Sequence, residues 1–290
     1  MTYELAEVLI SGIALGAIYA VMASGMSLVY GVLRIFNFAY GSFAMLAAYF
    51  AWFLFNHFAW MTYPAVFAIV LPGMFLFGLA VEKIAIGPLR QRANWEILAI
   101  MSTLGLALFM DNISLAAFGP IQKDLPFIIT GTVNLAGFEV SRHEMLTLGV
   151  GISIITVLQV FLKRARYGMV MRALAQDMTG ARIVGIPLNR AFGYTFALSA
   201  VLVGISGILL VPRYFISPSG GWEIMIKAWV IAVFGGMGSF TGTLYAAFIL
   251  GIVESIVIWQ LGARWPIVIW FLVLIVTLII RPGGLLGARE

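Results

Sequence analysis

Long, nearly uncharged apolar runs recur along this chain, at about 8–30, 38–56, 64–82, 97–118, 144–162, 191–211, 224–235, 241–260 and 265–280. A helix on the surface of a soluble protein carries an apolar stripe and a polar face, and these runs show no such division. About 20 mostly apolar residues make a helix long enough to cross the roughly 30 Å hydrocarbon core of a bilayer. The reading is an all-α integral membrane protein with a bundle of about 8–9 transmembrane helices, some short or broken. Residues 1–290 form a single transmembrane domain in this reading. Hydrophobic residues make up 62% of the chain and charged ones 10%, against about 25% charged in an ordinary soluble domain. That excludes a soluble globular enzyme and a disordered chain. An outer-membrane barrel would need alternating hydrophobicity, and these runs are continuous.

Catalytic chemistry finds few residues to work with. The chain has no Cys and two His, His57 and His143. Disulfides, thiolate metal sites and Cys nucleophiles are therefore excluded. Both His flank apolar runs and read as interfacial polar residues rather than metal ligands. No Lys precedes a Ser or Thr, so there is no phosphate-binding loop, and neither H-E-x-x-H nor G-x-S-x-G occurs. No metal, cofactor or catalytic residue is expected, and the chain is not expected to be an enzyme.

Charge placement sets the orientation. The start of the chain, with Glu4 and Glu7 and no basic residue before Arg34, does not read as a cleavable signal. With the N-terminus outside, twelve of the 17 basic residues fall on internal segments and five on external ones. The external five are Lys123, Arg142, Arg213, Lys227 and Arg264. Basic residues favour the cytoplasmic side, so the expected topology is N-out and C-cytoplasmic with an odd number of spans.

Two places interrupt the apolar pattern. Arg34-Ile-Phe-Asn37-Phe-Ala-Tyr40-Gly41-Ser42 divides the first two runs, and Gly235-Gly236-Met-Gly238-Ser239 follows the short run 224–235. Backbone that leaves a helix at membrane depth must be buried in protein or line a cavity, and such breaks point to a transport path. Ordinary tight turns at the membrane surface fit the same residues equally well. Small residues recur every four, as in Gly12, Gly16 and Ala20; Ala200 and Gly204; Gly242 and Ala246; and Ala247 and Gly251. These stripes predict close helix packing or contact with a second membrane subunit. Within the spans, Asp111 with Asn112, and Glu254, either line a path or tie helices together, and Glu82 lies near an inner end. Glu223 and Lys227 read as a local i,i+4 pair at an outer helix end. The external loop 119–143 holds a predicted hairpin around Phe127–Val133, punctuated by Pro120, Pro126, Gly131 and Gly137.

The internal segment 163–190 is the most informative. Its first part is basic, suiting an anionic lipid face. Its second part predicts one short helix with small or apolar residues at 173, 174, 178, 181 and 184, stopped by Gly185 and Pro187. Such a helix suits either docking into a groove on a soluble partner or lying on the membrane.

On these residues the chain resembles the permeases of ABC importers for branched-chain, hydrophobic amino acids, of the first of the two permease types. Four motifs carry the resemblance over essentially the whole chain. They are Tyr30-Gly31 leading to Phe36-Asn37-Phe38-Ala39 and Gly41; Arg172-Ala173, Asp177, Ala181 and Gly185-Ile186; Gly235–Ser239 followed by Gly242; and Arg281-Pro-Gly-Gly-Leu-Leu-Gly287. The family usually has His at the position of Tyr40 and often an acidic residue at those of Ser42 and Gln176. The first two departures leave the solute open, because related importers also serve urea, amides and small acids.

The resemblance implies a multi-pass protein of the bacterial inner membrane, working by alternating access. Its partners would be a second permease, two cytoplasmic ATPases that hydrolyse the ATP, and a periplasmic binding protein. The implied path-lining residues are Asn37, Tyr40, Gly41, Ser42, Gly235, Gly236, Gly238 and Ser239. The implied coupling residues are Arg172, Ala173, Gln176, Asp177, Ala181, Gly185 and Ile186. A stand-alone channel or secondary transporter for a small solute is the competing expectation.

Overall fold

A computed structural model of the chain describes residues 2–135 and 138–286. Its helices are α1 (Thr2–Leu33), α2 (Tyr40–His57), α3 (Tyr63–Val81), α4 (Trp95–Phe118), α5 (Arg142–Arg164), α6 (Arg166–Gln176), α7 (Met178–Ile183), α8 (Leu188–Leu210), α9 (Gly221–Gly235), α10 (Phe240–Leu261) and α11 (Pro266–Ile280). Each of the nine apolar runs is a helix. Among the described residues, six of them (α1, α3, α4, α5, α8 and α10) are long and apolar enough to cross a membrane. The other three fall short. α9 and α11 have 15 residues each, about 22 Å of helix, and α2 has 18 and ends in Asn56-His57.

Local chemistry accounts for several boundaries. α3 and α11 open with proline in the first turn, where the missing N–H costs nothing and the fixed φ suits a helix. Ser239 caps α10, its Oγ accepting from the Gly242 N–H at 3.2 Å. α3 continues through a π turn, Glu82–Ile86, and a 3₁₀ turn, Gly87–Gln91. The predicted hairpin lies slightly later than expected. Strands β1 (Thr132–Leu135) and β2 (Phe138–Ser141) pair antiparallel with Val133 opposite Val140. Gly137, expected to punctuate this loop, and Gly287, the last residue of the C-terminal motif, lie outside the described residues.

The described residues cluster into two compact units, one within Met1–Ser24, Pro126–Leu158 and Lys227–Glu290, the other within Gly25–Leu125 and Gln159–Ile226. In the first, two predicted small-residue stripes meet each other. A Cβ on Gly12 would stand 2.7 Å from Ile252 Cα, one on Gly16 2.8 Å from Phe248 Cα, and one on Gly251 2.6 Å from Gly16 Cα. Backbone touches backbone where α1 crosses α10, a contact only glycine allows. Ser11 Oγ donates to Glu144 Oε1 at 2.9 Å, tying α1 to α5.

In the second unit, α8 is the central helix, buried over most of its length between α2 and α3. A Cβ on Gly78 of α3 would stand 2.7 Å from Ala197 Cα, and one on Gly207 of α8 3.0 Å from Ala44 Cα. Phe43 meets Phe77 and Phe196 edge to face at 5.1 and 5.9 Å. α4 lies beside α2 in the same direction. Ser42 bonds Asp111 and Tyr49 stacks on Phe118 at 4.4 Å, so a seven-residue step on one helix matches a seven-residue step on the other.

Candidate functional site

The break between α1 and α2 is held at several points. Arg34 ends α1 in the left-handed region, φ 59°, with its N–H on Tyr30 O at 2.9 Å. A non-glycine residue costs about 1–2 kcal/mol there. Its guanidinium reaches 2.9 Å to the carbonyl of Ala175, in the last turn of α6. Asn37, 1% exposed, folds its Oδ1 onto the Ala39 N–H at 3.0 Å, an Asx turn. The Phe38 N–H donates to Thr103 Oγ1 at 3.2 Å, and Ser42 Oγ to Asp111 Oδ1 at 3.0 Å. Thr103 and Asp111 stand eight and sixteen residues into α4, about 12 and 24 Å along it. α2 therefore starts part-way along α4, beyond its first turns. Tyr40 is wholly buried, with its hydroxyl against Gly25.

A second short helix begins at the same place. Gly41 and Gly221 press their backbones together, with the Gly221 carbonyl where a Cβ on Gly41 would stand. Trp222 Nε1 then donates to Asp111 Oδ2 at 2.8 Å. Asp111 thus collects α2 and α9 at their first turns. The neighbouring Asn112 does not join it and bonds back to Leu108 O at 2.7 Å.

The break after α9 is a compact turn. Gly236 and Gly238 take φ 103° and 81°, which glycine adopts without steric cost. Gly235 packs on Gly242 and Thr243, and a Cβ on it would fall 2.6 Å from Thr243 Cα. Gly235 and Gly236 are buried or nearly so, and Gly238 is exposed. The C-terminal segment folds onto this turn. The Leu285 N–H donates to Phe234 O at 2.8 Å and the Leu286 N–H to Gly235 O at 3.1 Å. Two motifs separate in the sequence are one structural piece.

Lys227, expected to make a local pair with Glu223, has a partner farther along the chain. It is 4% exposed, and its Nζ lies 2.9 Å from Glu254 Oε1 and 3.2 Å from Tyr19 OH. Tyr19 OH donates to Glu254 Oε2 at 2.8 Å and Trp270 Nε1 to the same oxygen at 3.2 Å. An ammonium buried among apolar side chains finds its lowest energy against a carboxylate, and Glu254 supplies one. Glu254 ties α1, α9, α10 and α11. Glu82 likewise pairs with Arg90, which also donates to Asn189 Oδ1 at 2.9 Å and lies over the Phe192 ring.

Segment 163–190 departs from the single helix expected. It forms two, α6 and α7, broken at Asp177. Asp177 caps α7, its Oδ1 accepting from the Thr179 N–H at 2.9 Å. An aspartate is a strong helix start and competes with helix continuation. The end is a Schellman motif. The Ile186 N–H bonds Ala181 O and the Gly185 N–H bonds Arg182 O, both at 3.1 Å, with Gly185 at φ 85°. Ala181 is buried, whereas Arg172, Gln176, Asp177 and Gly185 are wholly or partly exposed. Beside α7 lies a groove of about 810 Å³ lined by Arg90, Trp95, Met178, Arg182, Ile186 and Arg190 among others.

Residues 8–280 match the family model described as the permease component of branched-chain amino acid transport systems. The chain belongs to that family. The permease is 29% identical to BraD of Pseudomonas aeruginosa, a high-affinity branched-chain amino acid transport system permease protein, over 99% of this chain and 97% of the relative. It is 29% identical to LivH of Escherichia coli K12, over 97% and 94%. To a probable branched-chain amino acid transport permease protein LivH of Methanocaldococcus jannaschii it is also 29% identical, over 92% and 87%. Among solved structures it shares its fold with PsaBC from Streptococcus pneumoniae in complex with Fab, at TM-score 0.50 and 13% identity, over 96% of this chain and 91% of that one. The permease is a multi-pass membrane protein, and its relatives are transporter components rather than enzymes.

The permease also carries features that its sequence does not single out. Ile183 and Val184, 81% and 77% exposed, form an apolar tip at the end of α7. Ile183, two residues after the buried Ala181, falls off its face, and Val184 lies just past the last helical residue. Arg34 reads from sequence only as an internal charge, and its bond to Ala175 joins the first break to α6.

Proposed function

We propose that the chain is the membrane subunit of an ATP-driven importer and forms half of the path for branched-chain amino acids or a closely related small solute. It works with a second permease, two cytoplasmic ATP-binding subunits and a binding protein outside the cell membrane. In this reading residues 1–290 are one permease domain with nine membrane crossings, the N-terminus outside and the C-terminus in the cytoplasm. The region 163–190 faces the ATPases, and the loop 119–143 faces the binding protein. ATP hydrolysis belongs to the partners.

The observation that carries the reading is the pairing of a full-length family match with two short internal helices ending in an exposed apolar tip. Ile183 and Val184 fit a groove on a soluble partner, as does the surface of Arg172, Ala173, Gln176, Asp177, Ala181, Gly185 and Ile186 around them. Closure of the ATPase pair would push this region. Arg34, bonded to Ala175, would carry the push to Asn37, Tyr40, Gly41 and Ser42. Gly235, Gly236, Gly238 and Ser239 complete the proposed path. ATP and the loaded binding protein each have to favour one of two states for the cycle to turn.

The test is ATP-driven uptake by the complete transporter in proteoliposomes. Asp177→Arg and Gly185→Trp are expected to abolish uptake and the stimulation of ATPase activity by binding protein, with normal insertion in the membrane. Wild-type uptake by either variant would remove the coupling assignment. Uptake driven by an ion gradient with no ATPase present would replace the whole reading with a secondary transporter.

A further inference from the structure

Basic side chains gather where three apolar helices end. The turns that prolong α3 stop at Gln91, α4 starts at Trp95 and α8 at Leu188, and all three are long and apolar enough to cross a membrane. The groove of about 810 Å³ beside α7 lies at these ends, with the guanidinium groups of Arg90, Arg182 and Arg190 on its walls. A second cavity of about 510 Å³ shares Arg90, Asn189 and Arg190 with it and adds Lys83 and Tyr194. Both volumes fall in the range of about 300–1,000 Å³ usual for small-ligand sites.

The charges around these cavities do not balance. No acidic residue lines the groove. Glu82, in the wall of the second cavity, is already paired with Arg90. Among the described residues no carboxylate pairs with Lys83, Arg182 or Arg190. Three cations therefore surround the joined space with no counter-charge. A cleft lined by one sign of charge concentrates the opposite ion, and the planar fork of arginine matches a phosphate at two points.

The groove is not purely polar. Trp95, Met178 and Ile186 also line it. Exposed Ile97 and Met101, one turn apart, continue an apolar surface along α4, and exposed Ile84 stands beside Lys83. A free phosphate gains nothing from these side chains. A phospholipid uses both parts, with its phosphate on the arginines and its chains along the helices. Tryptophan at a helix end suits the headgroup level of a bilayer, and basic pockets between membrane helices suit anionic headgroups. Ile183 and Val184, the apolar tip of α7, do not line the groove, so the tip and the groove are separate surfaces.

We propose that this groove is a binding site for one anionic phospholipid. Its phosphate lies between Arg182 of α7 and Arg190 at the start of α8, with Lys83 facing the headgroup from the second cavity. Its acyl chains lie against α4 beyond Trp95. The lipid thereby ties the short helix α7 to the membrane-spanning helices. Such binding requires only that the chain lie in a membrane, and it is independent of the solute carried.

The experiment is a titration of the delipidated complete transporter in detergent with dioleoyl phosphatidylglycerol, followed by native mass spectrometry. One saturable site is expected to depend on the two exposed arginines. Arg182→Gln with Arg190→Gln should weaken it by about 25-fold, roughly fivefold for each charge, and Arg182→Lys with Arg190→Lys should retain most of the binding. Arg164→Gln with Arg166→Gln removes the same charge from exposed positions of segment 163–190 outside the groove and should bind as the unaltered chain does. All variants are expected to keep the unaltered melting temperature. Dioleoyl phosphatidylcholine and inorganic phosphate are expected not to displace the lipid. Equal weakening by the two glutamine pairs would overturn the proposal, because diffuse surface charge would then suffice. Displacement by inorganic phosphate would replace the lipid with a free anion. Binding to the isolated permease that disappears in the complete transporter would also overturn it, since an ATPase would then cover the groove.

Discussion

Lys227 and Glu254 are each expensive to take out of water, by several kcal/mol even after relaxation. Their mutual contact at 2.9 Å and the hydroxyl and indole donors around Glu254 offset that cost. They do so only while both are present. Lys227→Met should therefore strand a buried carboxylate and destabilise the permease by about 3–5 kcal/mol, read as a lower melting temperature in detergent. The double variant Lys227→Met with Glu254→Leu should recover much of that loss, because apolar replacement of a whole buried pair is often neutral or better. If the double variant melts no higher than the single one, the pair does more than satisfy its own burial. None of this is legible from Lys227 alone. Four residues from Glu223, it looks like half of a surface pair, and only the path of α10 brings Glu254 to it.

At the scale of elements, the apolar runs mark out the helices to within a few residues, because chain length and charge spacing decide where a membrane helix can stand. They do not say which helices touch. In runs that are apolar all round, no stripe distinguishes one face from another, so neighbours are set by shape. The glycine stripes are the exception. Spacing alone predicts close packing, and Gly12, Gly16 and Gly251 make it. The position of Gly251 gives the sharpest test, since a Cβ there would meet the backbone of Gly16 and Gly12, with no flexible side chain to move aside. Gly251→Leu should lower the melting temperature by an amount equivalent to at least the roughly 1–3 kcal/mol typical of overpacking. Gly105→Leu, on a surface with nothing within 4 Å of its Cβ position, should leave it unchanged. Equal melting of the two variants would mean that α1 and α10 do not meet through these glycines. The site is legible only in pieces. Ser42 and Asp111 each stand out in the sequence, but Trp222 lies 111 residues from Asp111, and no periodicity connects them.

At the scale of the molecule, the proposed nine crossings hinge on α9. Its 15 residues give about 22 Å of helix, short of a full bilayer. Because it starts beside Asp111 rather than at a helix end, it has less thickness left to cross. If it crosses, the turn at Met237 lies inside, α10 leads out, and the turn at Ala263 lies outside. If α9 instead enters and returns to the same side, both positions exchange sides and the C-terminus moves outside. The basic residues favour the first arrangement, since burying Lys227 leaves only four on the external side. The chain has no Cys, so single cysteines report without a background. Placed at Thr62, Thr130 and Ala263, they should react with a membrane-impermeant maleimide in intact cells. Placed at Ala93, Thr179 and Met237, they should react only after the membrane is opened. Reversal at Met237 and Ala263 alone would make α9 re-entrant and leave eight crossings, with the α1–α8 assignments and the internal position of α7 intact. Reversal at Thr179 would be the more serious result, because the two short helices would then have no ATPase to meet.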